Sequence, residues 1–230
     1  MVVLGIDPGL RATGWAVLAL TGFDEGLDRE TLSSARGEPV EPRAEPPSDA
    51  GPLTLSLPAL STAEGPALSA VEGSKGVAGR DELKVLAYGA VQTETGTPLP
   101  ERLWRIVLGL REVIERWQPA EAAVEEAFVA ANKRVAIAMG EARGVALLAA
   151  AEARLTVFGY SASEVKQAVA GYGRGSKEQV QEMLRLQLGL ETAPQPADAS
   201  DALATAFCHL MHRRAEARLA GAATSAGGRT

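Results

Sequence analysis

Short apolar runs separated by turn residues open the chain. Val2 to Ile6 and Thr13 to Leu20 predict two β-strands joined at Asp7-Pro8-Gly9, because aspartate, proline and glycine are common turn formers. Val85 to Thr93 predicts a third strand of the same kind. Three strands in succession predict a meander.

The period of the apolar residues changes after the third strand. From about Pro100 to Trp117 they recur at the 3.6-residue spacing of a helix with one buried face. Two capping boxes, Ser161 with Glu164 and Ser176 with Gln179, predict the starts of two short helices. The other predicted elements are a buried strand at Ala122 to Glu125, an alanine-rich helix at Lys133 to Ala153, a strand at Thr156 to Tyr160 and a long helix at Ala199 to Leu219. This order predicts an α/β domain built in layers.

The segment from Thr21 to Glu82 differs in composition from the rest of the chain. It holds 7 of the 13 prolines, a single aromatic residue and the near-repeat LSTAEG and LSAVEG. Such a composition buries too little apolar surface to offset the entropy lost on ordering. We therefore predict one folded domain formed by residues 1–20 and 83–220, a mostly disordered insertion at 21–82 and a flexible tail at 221–230.

The net charge of −6 at first disfavours a nucleic-acid partner, because phosphate binding depends on lysine and arginine. The charges are unevenly distributed, however. The insertion holds 12 of the 29 acids and 5 of the 23 bases, which leaves 17 acids and 18 bases in the rest of the chain. The predicted domain is therefore close to neutral, and it becomes more basic if some of its acids bind metal.

Two further features concern the compartment. The chain has one cysteine, Cys208, which excludes an intrachain disulfide and fits a reducing environment. Its apolar runs are shorter than the roughly 20 residues of a membrane-spanning helix, and the opening run is interrupted by Asp7 before a signal-peptide core is complete. We expect a cytoplasmic protein, with Cys208 as a buried apolar residue.

Asp7 and Glu125 each end a predicted strand. A carboxylate at the carboxyl end of a strand lies where open α/β sheets place their sites. Each residue also has a plainer interpretation, since Asp-Pro-Gly is an ordinary turn and Glu125 can reach water from a strand end. Taken singly, neither residue identifies a site.

Asp198 and Asp201 lie three residues apart at the start of the last predicted helix, so their side chains share one face. Helix capping alone explains aspartate at such positions. Together with two strand-end acids, however, the pair predicts a cluster of four carboxylates. Four ionised carboxylates require cations nearby, and oxygen ligands favour Mg²⁺ or Mn²⁺. Two such ions form a device for hydrolysis of phosphate esters.

Five segments of the chain resemble the successive signature blocks of the RuvC-type crossover junction endodeoxyribonucleases. They occur in the family's order and cover nearly all the chain outside the insertion and the tail. The segments are GIDPGLRATG from Gly5, VEEAF from Val124, GEARG from Gly140, VKQAV from Val165 and ADASDALA from Ala197. The resemblance implies a ribonuclease-H-like α/β fold with a mixed five-stranded sheet flanked by helices.

The same resemblance implies an activity and the residues that perform it. The family resolves four-way (Holliday) DNA junctions by symmetric paired nicks in homologous recombination and DNA repair. It uses magnesium, here expected as two Mg²⁺ per subunit with Mn²⁺ able to substitute. The matching acidic cluster in this chain is Asp7, Glu125, Asp198 and Asp201.

Other positions match the family's contacts with DNA. Lys166 and Lys177 match basic residues near the scissile phosphate, and Phe128 matches an aromatic residue that stacks on bases. Arg174, in a glycine-rich loop, is a further candidate for phosphate contact. Solvated lysines and a core phenylalanine are the plainer alternatives. His209 and His212 do not have the spacing of a zinc-protease pair, and we expect structural roles for them.

The resemblance also implies partners, namely a second copy of the chain and the branch-migration proteins RuvA and RuvB. Small residues in the alanine-rich helix allow close approach, either in the core or across a dimer interface. They are Ala138, Gly140, Ala142 and Gly144.

Two other classes of protein remain open at this point. Sugar kinase and actin-type ATPases use a similar Gly-Ile-Asp-Pro-Gly turn, but they need two large domains and a second phosphate loop, for which the predicted domain has no room. A catalytically silent DNA-binding module would bind junctions and be indifferent to the loss of a carboxylate. The complete set of four acids disfavours it.

Overall fold

A mixed β-sheet forms the centre of the fold. In the computed structural model, which describes residues 1–21, 71–72, 82–126, 133–171, 173 and 175–227, the strands stand in the order β3-β4-β2-β1-β5-β6. The strands are β1 (Val2–Asp7), β2 (Ala12–Thr21), β3 (Val71–Glu72), β4 (Glu82–Gln92), β5 (Glu121–Glu125) and β6 (Thr156–Tyr160). β4, β2 and β1 pair antiparallel, whereas β1, β5 and β6 pair parallel. The predicted meander and the mixed sheet of five strands are confirmed, and the two-residue β3 is added at one edge.

Five helices accompany the sheet in the described part of the chain. They are α1 (Leu99–Trp117), α2 (Lys133–Glu152), α3 (Ala162–Ala170), α4 (Lys177–Gln187) and α5 (Ala197–Gly227). Both predicted capping boxes are present, at Ser161 and at Ser176. No described helix is both long enough and apolar enough to cross a membrane. The last helix extends beyond the predicted Ala199 to Leu219 and continues into the expected tail.

The sheet separates two layers of helices. The main apolar cluster lies between one face of the sheet and helices α1 and α2, and it includes Leu4, Ile6, Trp15, Val124 and Ile106. α5 packs on β1 and β2 from the other side. Because side chains alternate along a strand, residues 5 and 7 of β1 and residues 123 and 125 of β5 face α5. Cys208 is fully buried on α5, as predicted.

The predicted insertion begins and ends at neighbouring points of the sheet. Thr21, the last residue of β2, pairs with Glu82, the first residue of β4. A long segment whose ends are already adjacent costs little extra closure entropy, since that cost grows only as the logarithm of length. Most of the predicted insertion, residues 22–70 and 73–81, lies outside the described residues, and so does the disorder predicted for it.

Candidate active site

Two of the predicted acids lie at the carboxyl ends of two neighbouring strands. β1 and β5 are parallel neighbours, so their last residues, Asp7 and Glu125, leave the sheet side by side. Each residue is only partly exposed, and each follows buried apolar residues of its own strand. The alternation of the strands turns both side chains towards α5. The strand-end positions therefore bring the two carboxylates together.

The first turn of α5 carries Asp198 and Asp201 to the same edge. Two glycines allow this helix to lie directly on the sheet. A Cβ atom on Gly14, the residue paired with Asp7, would lie 1.9 Å from the carbonyl oxygen of Asp198, and one on Gly5 would lie 2.2 Å from that of Ala202. A glycine inside a strand often marks such a close approach. The bare backbone of Gly14 thus sets the distance between the acid pair and Asp7.

The four acids influence one another electrostatically. Burial, and then the charges of Glu125, Asp201 and Asp198, raise the pKa of Asp7 to about 8. Burial likewise raises the pKa of Glu125 and of Asp201, with a further increase at Glu125 from the charge of Asp201 and at Asp201 from that of Asp198. A hydrogen bond with Asp7 moderates the rise in the pKa of Glu125. Carboxylates held this close favour a bound proton or a cation.

Two lysines lie beside the acids. The Nζ atom of Lys177 is 2.5 Å from Oδ2 of Asp201. Partial burial lowers the pKa of Lys177, but the hydrogen bond to Asp201 and the charges of Asp201, Asp7 and Asp198 outweigh it, and the net shift is upward. The charge of Lys166 lowers the pKa of both Glu125 and Asp201. Both predicted lysines are thus within electrostatic reach of the acidic cluster.

Two of the acids and both lysines line a cavity of about 260 Å³ between α3, α4 and α5. Its charged lining residues are Glu125, Asp201, Lys166 and Lys177. Val165 and Val180 supply apolar walls. A cavity lined by both carboxylates and ammonium groups suits a ligand that carries negative charge and binds cations, such as a phosphodiester.

The donor atoms are not arranged around a single point. Within the described ranges, no group of three or more histidine, cysteine, aspartate or glutamate side chains has the geometry of a metal site. Glu125 has a hydrogen bond with Asp7, and Asp201 is turned towards Lys177. The charges of the other three acids all act on Asp7, and Asp201 is also paired with a lysine. Their chemistry nevertheless fits a hard divalent cation, since all the donors are carboxylate oxygens.

Two of the predicted DNA contacts, Phe128 and Arg174, lie outside the described residues. The histidine prediction can be examined directly for His209, which is buried. Its Nε2 atom lies 2.7 Å from Oε2 of Glu121, and its Nδ1 atom lies 2.8 Å from the hydroxyl of Tyr160. Glu121 begins β5, at the opposite end from the acidic cluster. The structural role expected for His209 is therefore confirmed.

Sequence reasoning missed the two glycines under α5 and a buried arginine, Arg102. A glycine within each strand of a predicted hairpin was the available signal for Gly5 and Gly14. Arg102 interrupts the apolar stripe of α1, four residues before Ile106, which was the signal for a buried cation.

Comparisons with known proteins agree on one family. A family model described as crossover junction endodeoxyribonuclease RuvC matches residues 74–209. A relative named crossover junction endodeoxyribonuclease RuvC from Chloroflexus aggregans is 54% identical over 136 residues, which cover 58% of this chain and 83% of the relative. One with the same name from Moorella thermoacetica is 52% identical over 128 residues, 56% of this chain and 77% of the relative.

Solved structures extend the likeness to the fold. The structure of Thermus thermophilus RuvC is similar with a TM-score of 0.64 and 30% identity, over 94% of this chain and 97% of that one. A second structure, described as T. thermophilus RuvC in complex with Holliday junction substrate, has a TM-score of 0.64 and 31% identity, over 94% of this chain and 96% of that one. The predicted ribonuclease-H-like fold is confirmed by these neighbours. Since the family model matches more than half of its residues, the chain belongs to the crossover junction endodeoxyribonuclease RuvC family.

Proposed function

We propose that this chain resolves four-way DNA junctions by symmetric paired nicks, in homologous recombination and DNA repair. The observation that carries the proposal is the convergence of Asp7, Glu125, Asp198 and Asp201 at one edge of the sheet, beside Lys166 and Lys177. A relative solved with a Holliday junction substrate supports the choice of DNA. The membership of an endonuclease family disfavours the ATPase and the silent binding module.

The four carboxylates are proposed as ligands of divalent metal, two Mg²⁺ per subunit, with Mn²⁺ able to substitute. The raised pKa of Asp7 supports this assignment, because a cation would offset the same repulsion that now favours a proton. When bound, such ions supply an activated water and stabilise the leaving oxygen of a phosphodiester. Asp7 and Glu125 would be held by the strands and the acid pair by α5, so the ligand set depends on how helix and sheet pack.

Lys166 and Lys177 are proposed to hold the scissile phosphate. Both line the cavity that contains Glu125 and Asp201, and an ammonium group binds phosphate as a point charge. Phe128 is proposed to stack on a base at the junction, and Arg174 to contact phosphate. Phe128 follows the end of β5 by three residues, which is close enough along the chain to reach DNA bound at Glu125.

We further propose a homodimer formed through α2. This helix is buried through Ala142 and Ala146, while Ile137 is 62% exposed and Leu148 is 51% exposed on its outer side. A Cβ atom on Gly140 would meet nothing within 4 Å, so this side has room for a close neighbour. Opposed nicks require two active sites, which a twofold dimer supplies. We expect sedimentation to give about twice the chain mass of 23.9 kDa, and a monomer at micromolar concentration would contradict the interface.

Cooperation with RuvA and RuvB, and a place in the cytoplasm, are proposed on the family resemblance.

The cleavage assay that tests the proposed function does not depend on either. It compares a labelled four-way junction with linear duplex of the same sequence, with Mg²⁺ or with EDTA. Paired, metal-dependent nicks on the junction alone would establish the function. Tight junction binding without nicks would indicate a silent binder, and ATP-dependent stabilisation without DNA binding would indicate the ATPase.

The segment 22–81 is proposed to be dispensable for cleavage. Its ends leave the sheet at Thr21 and Glu82, whereas the turn that follows Asp7 lies at the other end of β2. The ten residues of β2 span about 30 Å, which is several Debye lengths at physiological salt. The two ends of the acid-rich segment are thus attached far from the proposed phosphate site, and its only described contact with the sheet is β3, which pairs with β4 at Tyr88 and Ala87.

Replacing residues 22–81 by an Asn-Gly turn removes the two-residue edge strand β3 and should leave the other five strands intact, with junction cleavage within about threefold of the full chain. Asn-Gly matches the twist of a two-residue hairpin, and Thr21 and Glu82 are already paired. Thermal unfolding and cleavage of the same junction would measure both properties. Loss of cleavage in a variant that unfolds at the original temperature would show that the segment takes part in the reaction.

A further inference from the structure

Arg102 is a buried cation outside the acidic cluster. It lies in the first turn of α1 and is 9% exposed. Its Nε atom donates a hydrogen bond to Oγ1 of Thr93 at 2.9 Å, and its Nη2 atom donates to the carbonyl oxygen of Leu10 at 2.9 Å. Both acceptors are neutral groups. Burial of a guanidinium against neutral acceptors is costly, so the contact is unlike an ordinary surface ion pair.

The two acceptors belong to a network around a single turn. Thr93 follows β4, and its hydroxyl donates to the Leu10 carbonyl oxygen at 2.5 Å while its backbone N–H donates to the Arg11 carbonyl oxygen at 2.9 Å. The hydroxyl of Thr13 donates to the Gly9 carbonyl oxygen at 2.8 Å. Three successive carbonyl groups of the turn between β1 and β2 are therefore held by side chains or backbone from outside it.

That turn begins directly after Asp7. We propose that Arg102 and Thr93 are positioning residues that fix the Leu10 carbonyl, and through the turn backbone fix the Asp7 carboxylate for metal binding. The inference rests on the proposed function, in which Asp7 is a metal ligand. Arg102 acts here through the backbone, because its hydrogen bonds end on Leu10 and Thr93 rather than on a carboxylate.

The alternative is that Arg102 only joins α1 to the hairpin and stabilises the fold. The two roles differ in a measurable way. A purely structural residue, once removed, leaves a smaller folded fraction whose remaining molecules bind metal with unchanged affinity. A positioning residue, once removed, leaves folded molecules whose affinity for metal is lower, as is typical of groups that orient metal ligands.

The test is calorimetric titration of Mn²⁺ into the full chain at 25 °C and pH 8.5, which gives affinity and stoichiometry separately. Three variants are compared with wild type: Arg102→Met, Thr93→Val and Arg105→Met. The last is the matched control, since Arg105 lies on the same helix, has a side chain that is 41% exposed and pairs with Glu101 at 3.6 Å. Thr93→Val keeps the backbone bond to Arg11 and removes only the hydroxyl, so it remains informative if Arg102→Met does not fold.

We expect Arg102→Met to weaken Mn²⁺ binding about tenfold and Thr93→Val about threefold, at unchanged stoichiometry. Arg105→Met should match wild type. This inference alone would be overturned if Arg102→Met and Thr93→Val both bound Mn²⁺ with unchanged affinity. If Arg102→Met does not fold, an unchanged affinity of Thr93→Val for Mn²⁺ would overturn it. Wild-type protein that binds no Mn²⁺, or an Asp7→Asn variant that binds it equally well, would overturn the proposed function and the inference with it.

Discussion

Replacing Asp7 with Asn is expected to reduce junction cleavage by at least about a thousandfold while junction binding stays near the wild-type level. The side chain keeps its size and loses the charge that a cation requires. Loss of one such electrostatic group reduces the stabilisation of the transition state by several kcal/mol. Among the four acids, Asp7 is the one whose pKa is raised by the charges of all three others, Glu125, Asp201 and Asp198. Single-turnover cleavage and a gel-shift titration with the same labelled junction would measure the two effects.

The control for this variant is Glu152→Gln. Glu152 is exposed and pairs with Arg111 at 2.8 Å, away from the acidic cluster, and such a surface pair contributes at most about 1 kcal/mol. It should cleave at the wild-type rate. If the Asp7→Asn protein cleaves as fast as Glu152→Gln, Asp7 is not a ligand of the catalytic metal.

Asp7→Asn is expected to raise the stability of the metal-free protein, although it lowers cleavage. The pKa of Asp7 in the folded, metal-free protein is about 8, against an ordinary value of 3.8. Between these two values the folded protein keeps a proton that the unfolded chain has released, so the free energy of unfolding falls as pH rises through this window. Asparagine has no such proton. In EDTA at pH 8 or above, Asp7→Asn should therefore be more stable than wild type by up to a few kcal/mol.

Thermal unfolding of both proteins in EDTA between pH 4 and pH 9 would test this. The difference between them isolates Asp7, because the other titrating groups are shared. It should be small near pH 4 and grow towards pH 8. Added Mg²⁺ should then stabilise wild type more than the variant. A difference that does not change with pH would contradict the raised pKa.

The second large effect is expected for Gly14→Ala. The new Cβ atom would lie 1.9 Å from the carbonyl oxygen of Asp198, 2.4 Å from its carbonyl carbon and 3.1 Å from the nitrogen of Ala199. These are backbone atoms, so no side-chain rotation relieves the overlap and the start of α5 must shift. We expect a loss of about 3 kcal/mol in the free energy of unfolding. We also expect cleavage to fall more than tenfold in protein that is still folded, because Asp198 and Asp201 move with the helix.

Gly96→Ala provides the control. It makes the same chemical change at a glycine whose added Cβ atom would meet nothing within 4 Å. Chemical denaturation and cleavage at 25 °C should give wild-type values for this variant. Wild-type stability and cleavage in Gly14→Ala would mean that the spacing between helix and sheet does not govern the site.

The elements of the fold were largely predictable because each has a strong local signal. Apolar period, turn residues and two capping boxes give the strands and helices to within a few residues of their observed bounds. The end of α5 differs from the prediction, which places it at Leu219, whereas the helix continues to Gly227. The two residues of β3 carry too little pattern to be recognised inside a segment of low apolar content.

The acids of the site were also predictable, but their mutual arrangement was not. Their positions at strand ends and at a helix start indicate convergence, and the resemblance selects those four residues. The contacts that set the arrangement are long-range and have no local pattern. The bond from Lys177 to Asp201 and the bonds from Arg102 to the turn after Asp7 join parts of the chain far apart in sequence. Only packing determines which of them form.

The division of the acids between β1, β5 and α5 also determines when the site comes into being. During synthesis the ribosome produces Asp7 early and Asp198 and Asp201 only after some 190 further residues. Until α5 has emerged from the ribosome, the nascent chain has only two of the four carboxylates and lacks the helix that covers Gly5 and Gly14. The proposed site is therefore incomplete until the last helix docks on the sheet, so any activity that depends on all four acids can begin only after synthesis of α5.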